Sequence, residues 1–405
     1  MGYLKNTIKG VSWIATLRIA TRIITLLRTV LLARLLVPSQ FGVFGIASLI
    51  LAFFEVLTET GVNVFLIQQK KDIKEYIDSA WIVSIIRGAV LSLSIVLLAP
   101  FIASFFSSQE SHGVILFIAI IPFIRGFINP AIITLQKDLQ FHKEFWLRLS
   151  IFLLDSFIVV IFAFSTHSAA SFVWGLLAGA LFEVILSFLF IQPRPKLNFE
   201  QDKVKRIMGR GKWVTLSGIF TYIAQEGDNV AVGKILGTAP LGIYQVAYKF
   251  STLPISEITD VVSKVVFPVY TKISHEPVRL FRAFIRTSLA ISIGASLLGA
   301  IIFLFSETII SVLLGSNWTS AVPVIKILSI YGVLRAIFGS VSSLFLAVGK
   351  QEYIASMTFV RVLGLAITIV PLTLRYGLIG AGYAALFSVL IELPMIMLYT
   401  IKIFR

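Results

Sequence analysis

The sequence predicts an all-α integral membrane protein of about 12 transmembrane helices, and three observations predict it. Of its 405 residues, 57% are hydrophobic and 14% charged, and the mean hydropathy is +0.94, which suits a bilayer better than water. Apolar stretches of roughly 20 residues, enough to cross a ~30 Å hydrocarbon layer as a helix, follow one another along nearly the whole chain. Lys and Arg gather in alternate connections between those stretches.

In order, the stretches run over 10–36, 41–67, 79–102, 113–135, 145–164, 168–191, 211–236, 241–269, 283–305, 321–347, 352–374 and 378–401. The first, from Val11 to Val37, is too long for a signal peptide and lacks a small-residue cleavage site. Twelve spans alternate the connections between two sides, so the cations choose the cytoplasmic one. The two termini and the even-numbered connections hold 22 Lys and Arg, seven of them between Arg194 and Lys212. The opposite loops, around 37–40, 103–112, 165–169, 237–240 and 305–320, hold none. Both termini are therefore expected in the cytoplasm.

The 35 Lys and Arg against 20 Asp and Glu give a net charge of +15. In a soluble chain that excess would suggest nucleic acid, but no long solvated basic surface exists here to bind it. With no cysteine there is no disulfide, thiolate nucleophile or Cys-ligated metal, and the four histidines, His112, His142, His167 and His275, are far apart. No metal site or cofactor is expected.

A shift of 200 residues lays Trp13 on Trp213, Ile19 on Ile219, Thr21 on Thr221, Val30 on Val230, Leu36 on Leu236 and Gly42 on Gly242. Six spans per half, each beginning on the same side, make two parallel repeats related by a pseudo-two-fold along the membrane normal. The expected organisation is a six-helix lobe over 1–191, a basic cytoplasmic linker over 192–210 with Pro193 and Pro195, and a second six-helix lobe over 211–405.

Thirteen cations remain in or at the ends of spans. Arg34, Lys234, Lys264, Lys326 and Arg375 lie near predicted ends, where long side chains snorkel to the interface. Arg18, Arg22, Arg87, Arg125, Lys249, Arg335 and Arg361 lie deep. A lipid-facing charge there costs at least ~2.5–3.5 kcal/mol, so each must meet a hydrated cavity or a counter-ion. Arg18, Arg22, Thr25 and Thr29 fall on one stripe of the first span, and Gln245, Lys249, Thr252 and Ser256 on one stripe of the eighth. Such stripes suit an anion; Arg125 with Asn129, and Arg335, add to them. Neutralisation by buried carboxylates is the competing reading.

Nine carboxylates lie in the spans. Glu55 and Glu59 sit one turn apart on one face, where two negative charges repel unless a proton or cation is held between them or a cation from another helix sits beside them. Glu226 and Asp228, followed by Asn229, form a second acidic group. Structural pairing and binding of a coupling ion, H+ or Na+, are both open to these clusters. No phosphate-binding loop of the G-x-x-x-x-G-K-[ST] type, H-E-x-x-H pair or G-x-S-x-G elbow occurs. No catalytic residues are expected; Gly175-x-x-x-Gly179 reads as close helix packing. A two-lobed secondary carrier with a cationic cavity remains.

The opening Thr7-Ile8-Lys9-Gly10-Val11-Ser12-Trp13 and the run Leu32-Ala33-Arg34-Leu35-Leu36-Val37-Pro38-Ser39-Gln40-Phe41-Gly42 resemble the start of Wzx-type polysaccharide flippases, members of the multidrug/oligosaccharidyl-lipid/polysaccharide exporter superfamily. Leu135-Gln136-Lys137-Asp138-Leu139-Gln140-Phe141, Gly233-Lys234-Ile235-Leu236-Gly237 and Val266-Phe267-Pro268 are similar to the same family, in the same order. The resemblance implies an undecaprenyl-pyrophosphate-linked oligosaccharide, a polyprenyl-pyrophosphate substrate turned from the cytoplasmic to the outer leaflet of a bacterial inner membrane by alternating access. It implies that Arg18, Arg22 and Lys249, with Arg125 and Arg335, hold the anionic head group, and that a polysaccharide polymerase is a membrane partner. Twelve spans depart from the fourteen of many members, whose extra C-terminal pair is missing or not included here. Two other classes stay open: a cation-coupled multidrug antiporter of the same superfamily, expected to have an acidic and aromatic cavity, and a membrane polymerase or ligase of lipid-linked sugars, expected to have a large outward loop.

Overall fold

The computed structural model describes residues 2–58, 62, 66, 73–208 and 211–404, and the side chains among them outside 2–11 and 205–217. Among the described residues the protein is all-helical, with no strand. Along the chain come α1 (Gly2–Leu35), α2 (Pro38–Leu57), α3 (Lys74–Phe105), α4 (Gln109–Ile118), α5 (Ile120–Gly126), a 3-10 turn (Pro130–Ile133), α6 (Thr134–Lys137), α7 (Phe141–Thr166) and α8 (Ala170–Phe190). Then follow α9 (Gln201–Met208), α10 (Gly211–Leu236), α11 (Thr238–Lys272), α12 (Pro277–Leu304), α13 (Ser306–Ile309), α14 (Val322–Ala347), α15 (Gln351–Leu390) and α16 (Leu393–Phe404).

Seven of these helical stretches are long and apolar enough to cross a membrane, and eight if the bent pair Gln109–Gly126 and Pro130–Lys137 counts as one. Their outward faces support a lipid environment. Leu93, Leu97 and Phe101 step by four along α3 and are exposed, Phe101 to 71%, a stripe that would be costly in water and is neutral in hydrocarbon.

Local chemistry explains the breaks. Pro38 opens α2, where its missing N–H is not needed. Gly237 separates α10 from α11 with φ +90 and ψ −169, a conformation closed to residues with a Cβ. Gly377 interrupts α15 with φ +60, between the stretches 352–374 and 378–401 that the sequence separates. The fourth stretch, expected as one helix over 113–135, is instead bent by 74° between its two halves. The bend has a cause at Asn129: its Oδ1 accepts from Ala131 N at 2.9 Å, and its Nδ2 donates to Pro193 O at 3.0 Å. The basic linker is also partly helical, as α9, whose Val204 packs against an apolar cluster built around Tyr76, Ile77, Leu135 and Ile191.

The chain divides into two compact units, Met1–Tyr222 and Ile223–Arg405. The division falls inside α10, whose first half belongs with the first unit: Tyr222 Oη donates to Leu49 O at 2.9 Å and its ring lies on Phe53. In the first unit α7 packs between α1 and α8, and α3 against α5; in the second, α14 packs against α11, α12 and α15.

Candidate functional site

Five arginines of the first unit converge on two adjoining cavities. Arg18 and Arg28 of α1, Arg125 of α5 and Arg148 of α7 line one of about 570 Å³, together with Asp155 and Glu183. The second, about 590 Å³, shares Arg125, Arg148 and Glu183 and adds Arg87 of α3 and Glu55 of α2. Among the described residues, five arginines thus face three carboxylates. In surroundings far less polarisable than water that surplus favours an anion, which guanidinium groups grip through charge-assisted hydrogen bonds.

Four of the five arginines are held by identifiable atoms. Arg28 Nη1 donates to Asp155 Oδ2 at 2.7 Å, and its guanidinium lies over the Phe152 ring, 5.5 Å from the centroid. The ring and the carboxylate lie on the same helix, one turn apart. Arg125 Nη1 meets Glu55 Oε1 at 3.2 Å, while its Nε is buried with no hydrogen-bond partner among the described atoms. Arg87 Nη2 donates to Glu55 O at 2.7 Å and its Nε to Thr58 Oγ1 at 3.2 Å. Arg148 Nε donates to Glu144 Oε1 at 2.7 Å, and the same oxygen accepts from Gln136 Nε2 at 2.7 Å.

Glycines bring α7 and α8 close enough for this. A Cβ at Gly175 would run into Val159 Cγ2 and Asp155 Oδ1, and one at Gly179 would stand 3.3 Å from Asp155 Cβ. The Gly175-x-x-x-Gly179 spacing therefore does permit close packing, and it does so directly over the carboxylate that pairs with Arg28.

The residues singled out by the sequence divide accordingly. Arg18 and Arg125 share a cavity, and Glu55 joins Arg125. Arg22, one turn beyond Arg18, is half-buried and is not among the residues lining either cavity. Glu59 lies outside the described residues. Thr25 and Thr29 turn their hydroxyls to the carbonyls of Thr21 and Thr25, so the polar stripe on α1 largely satisfies its own helix. Asn129 contributes nothing to the anion surface: it is fully buried and its amide bonds backbone. Arg28 and Arg148 were not picked out by the sequence for this role, Arg148 because it stands among cations that report topology. The spacing Arg18, Arg28 carries no simple stripe, so Arg28 becomes legible only through Asp155, 127 positions away.

In the second unit Arg335 of α14 donates through Nη1 to Tyr248 Oη at 2.6 Å and Tyr331 Oη at 3.0 Å. The two hydroxyls are 3.2 Å apart. Asp228 is buried and accepts from Tyr244 Oη at 2.9 Å, and Glu226 accepts from Asn229 Nδ2 at 2.8 Å. Lys249 lies within electrostatic reach of Glu226, and Arg335 within reach of Asp228. Arg361 pairs with the buried Glu392 at 3.4 Å. The tyrosines were missed; the signal was Tyr244 and Tyr248, and Tyr331 and Arg335, each pair four residues apart on one helix face.

Other proteins are similar to this chain in sequence or in fold. An uncharacterized membrane protein in the cps region of Klebsiella pneumoniae is 26% identical over 383 residues, 93% of this chain and 78% of that one. The lipopolysaccharide biosynthesis protein WzxC of Escherichia coli (strain K12) is 24% identical over 358 residues, 87% of this chain and 72% of its own. Among solved structures, the inward closed conformation of the lipid II flippase MurJ superposes with a TM-score of 0.77 at 18% identity, over 96% of this chain and 88% of that one, and so shares the fold. The family profile described as "Polysaccharide biosynthesis protein" matches residues 31–323, from the last turn of α1 into the start of α14, so that Arg87, Arg125 and Arg148 lie inside the match and Arg18 and Arg28 before it. On that match, the chain belongs to the polysaccharide biosynthesis protein family.

Proposed function

We propose that the protein is a flippase, not an enzyme, that carries a lipid-linked oligosaccharide across a bacterial inner membrane for cell-surface or exopolysaccharide synthesis. The observation that carries this reading is the cavity lined by Arg18, Arg28, Arg125 and Arg148, a cationic surface enclosed by apolar helices in a polysaccharide biosynthesis family member. The natural occupant of such a surface is the phosphate of a polyprenyl-pyrophosphate carrier, gripped while its chain stays in lipid. Arg18, Arg22 and Arg125 are the head-group candidates in the first unit, and Lys249 and Arg335 in the second. Movement by alternating access accounts for transfer without a catalytic group.

Twelve spans follow if the bent pair counts as one, the charged helices α1, α10 and α11 cross, and Gly377 separates two crossings. The repeat is supported by register: α1 ends at Leu35 and α2 begins at Pro38, while α10 ends at Leu236 and α11 begins at Thr238, a near match to the shift of 200. Both termini then face the cytoplasm by the distribution of cations. Since the chain has no native cysteine, Lys203→Cys and Glu110→Cys report the two sides directly; labelling of Lys203→Cys by an impermeant thiol reagent in intact cells would refute this orientation. Glu226 and Asp228, beside an Asn229 Oδ1 with no partner among the described atoms, are the candidates for a coupling ion, H+ or Na+, whereas Glu55, paired with Arg125, takes the structural role.

The deciding experiment deletes the gene and identifies the accumulating lipid by mass spectrometry. A lipid-linked oligosaccharide retained in the inner leaflet is expected, and re-expression of Arg18→Ala/Arg22→Ala should leave it there. Absence of any accumulated species, with raised drug sensitivity instead, would point to a multidrug antiporter.

A further inference from the structure

We propose a second anionic site in the first unit, distinct from the arginine cavities: a pocket of lysines that binds the head group of an anionic phospholipid. It is a cavity of about 500 Å³ where α3 and α7 begin and α8 ends. Among the described residues, Lys74, Lys137 and Lys143 line it, with Thr134, Gln140 and one carboxylate, Asp138. Among the described residues, none that lines it also lines either arginine cavity.

Four features point to a lipid phosphate. The floor is rigid, because Ile73, Ile77, Leu135 and Ile191 line the cavity and also belong to one buried apolar cluster. Asn129 fastens that floor by donating to Pro193 O and Ile191 O, so the chain leaving α8 is tied to the 3-10 turn. Second, the N-termini of two long helices open at the cavity. Neither Ile73 nor Gln140 caps its helix with a side chain, and although Tyr76 N and Lys143 N donate to the carbonyls of Ile73 and Gln140, the positive ends of two helix dipoles lie at the cavity.

Third, the lysines stand at the wrong end of those helices. Lys74 and Lys143 lie in the first turns of α3 and α7, where a cation opposes the dipole and an anion is favoured. Each first turn also has an acid, Glu75 or Glu144; Glu144 is buried and turned to Arg148 and Gln136, away from this conflict. A phosphate in the cavity would meet the lysines and the dipole ends together. Fourth, one wall is greasy and open: Phe190 lines the cavity at the end of an apolar helix and is 73% exposed. A soluble anion has no use for that wall, whereas a phospholipid places its acyl chains along it. Basic pockets at the cytoplasmic ends of membrane helices hold anionic head groups in this way. Only the leaflet concerned rests on the orientation proposed above.

The test uses the purified full-length chain in detergent, with binding of phosphatidylglycerol, phosphatidylcholine and soluble sn-glycerol 3-phosphate read by native mass spectrometry. Phosphatidylglycerol should bind preferentially, and Lys74→Gln/Lys137→Gln/Lys143→Gln should weaken it roughly a hundredfold, about fivefold per lysine. The equally discharged variant Lys272→Gln/Arg279→Gln/Arg282→Gln in the second unit should bind as the wild type does. Should the triple variant fail to fold, Lys137→Gln and Lys143→Gln alone should each lose about fivefold. Undiminished phosphatidylglycerol binding in the lysine variants overturns the site. Equal binding of phosphatidylcholine overturns the charge argument, and equally tight binding of glycerol phosphate overturns the lipid. Because binding is read without transport, accumulation of a lipid-linked sugar in the deletion strain tests the flippase reading separately.

Discussion

Arg28 and Asp155 form an ion pair at 2.7 Å between α1 and α7, with side chains only 21% and 10% exposed. Asp155 Oδ1, the oxygen not facing Arg28, is buried without a hydrogen-bond partner among the described atoms. The pair therefore holds two helices together at some cost in desolvation, and removing one member is worse than removing both. Asp155→Ala should lower stability by about 3–5 kcal/mol, leaving a buried guanidinium uncompensated. Arg28→Met/Asp155→Leu should recover most of that loss. Thermal unfolding of the purified variants checks both; a double variant no more stable than Asp155→Ala would refute the pairing.

Gly175 faces the same carboxylate from α8. Its Cβ would meet Val159 Cγ2 and Asp155 Oδ1, so Gly175→Ala should cost about 1–3 kcal/mol through overpacking. At Gly179 the nearest atom would be 3.3 Å away, and Ala should cost less. Val159→Ala should partly relieve Gly175→Ala, because it removes one of the two obstacles. Equal unfolding temperatures for Gly175→Ala and wild type would show that the helices can separate freely.

These two cases also show what the sequence could tell. The glycine spacing was legible because close packing of membrane helices leaves a local mark, i and i+4 on one face. The Arg28–Asp155 pair left none: periodicity places a residue on a helix face but does not say which helix it meets, and this pair spans 127 positions. Charge count found Arg18 and Arg125, since an arginine deep in an apolar run is conspicuous wherever it points. The same logic misread Arg148, which lies at a predicted span end and so counts as a topological marker, yet lines both cavities. Asn129 erred in the opposite direction, a polar residue in an apolar run whose whole amide is used by backbone at a bend.

Arg335 in the second unit reaches two tyrosines with one nitrogen, at 2.6 and 3.0 Å. Tyr248→Phe or Tyr331→Phe should each cost no more than about 0.5–1.5 kcal/mol, since the remaining hydroxyl still accepts from Nη1. The double variant should cost more than the sum, because only then does that N–H group lose both acceptors. A double-mutant cycle on unfolding free energy measures the coupling, and strict additivity would mean that the shared donor does not couple them.

Arg125 and Glu55 separate structure from function. Their ion pair is longer, 3.2 Å, and both side chains are more than a third exposed, at 39% and 37%. Such a pair contributes about 0.2–1 kcal/mol, so Arg125→Gln and Glu55→Gln should change the unfolding temperature little. Export should respond unequally. Arg125 borders both cavities, so its loss removes a cation from each, and lipid-linked oligosaccharide should accumulate. Glu55→Gln keeps every arginine and removes a competing negative charge, so export should persist and an inorganic pyrophosphate probe should bind more tightly. If both variants export normally, the arginine cavities are structural and the head group is held elsewhere; if both fail alike, the ion pair itself is required and Glu55 is more than a resting counter-ion.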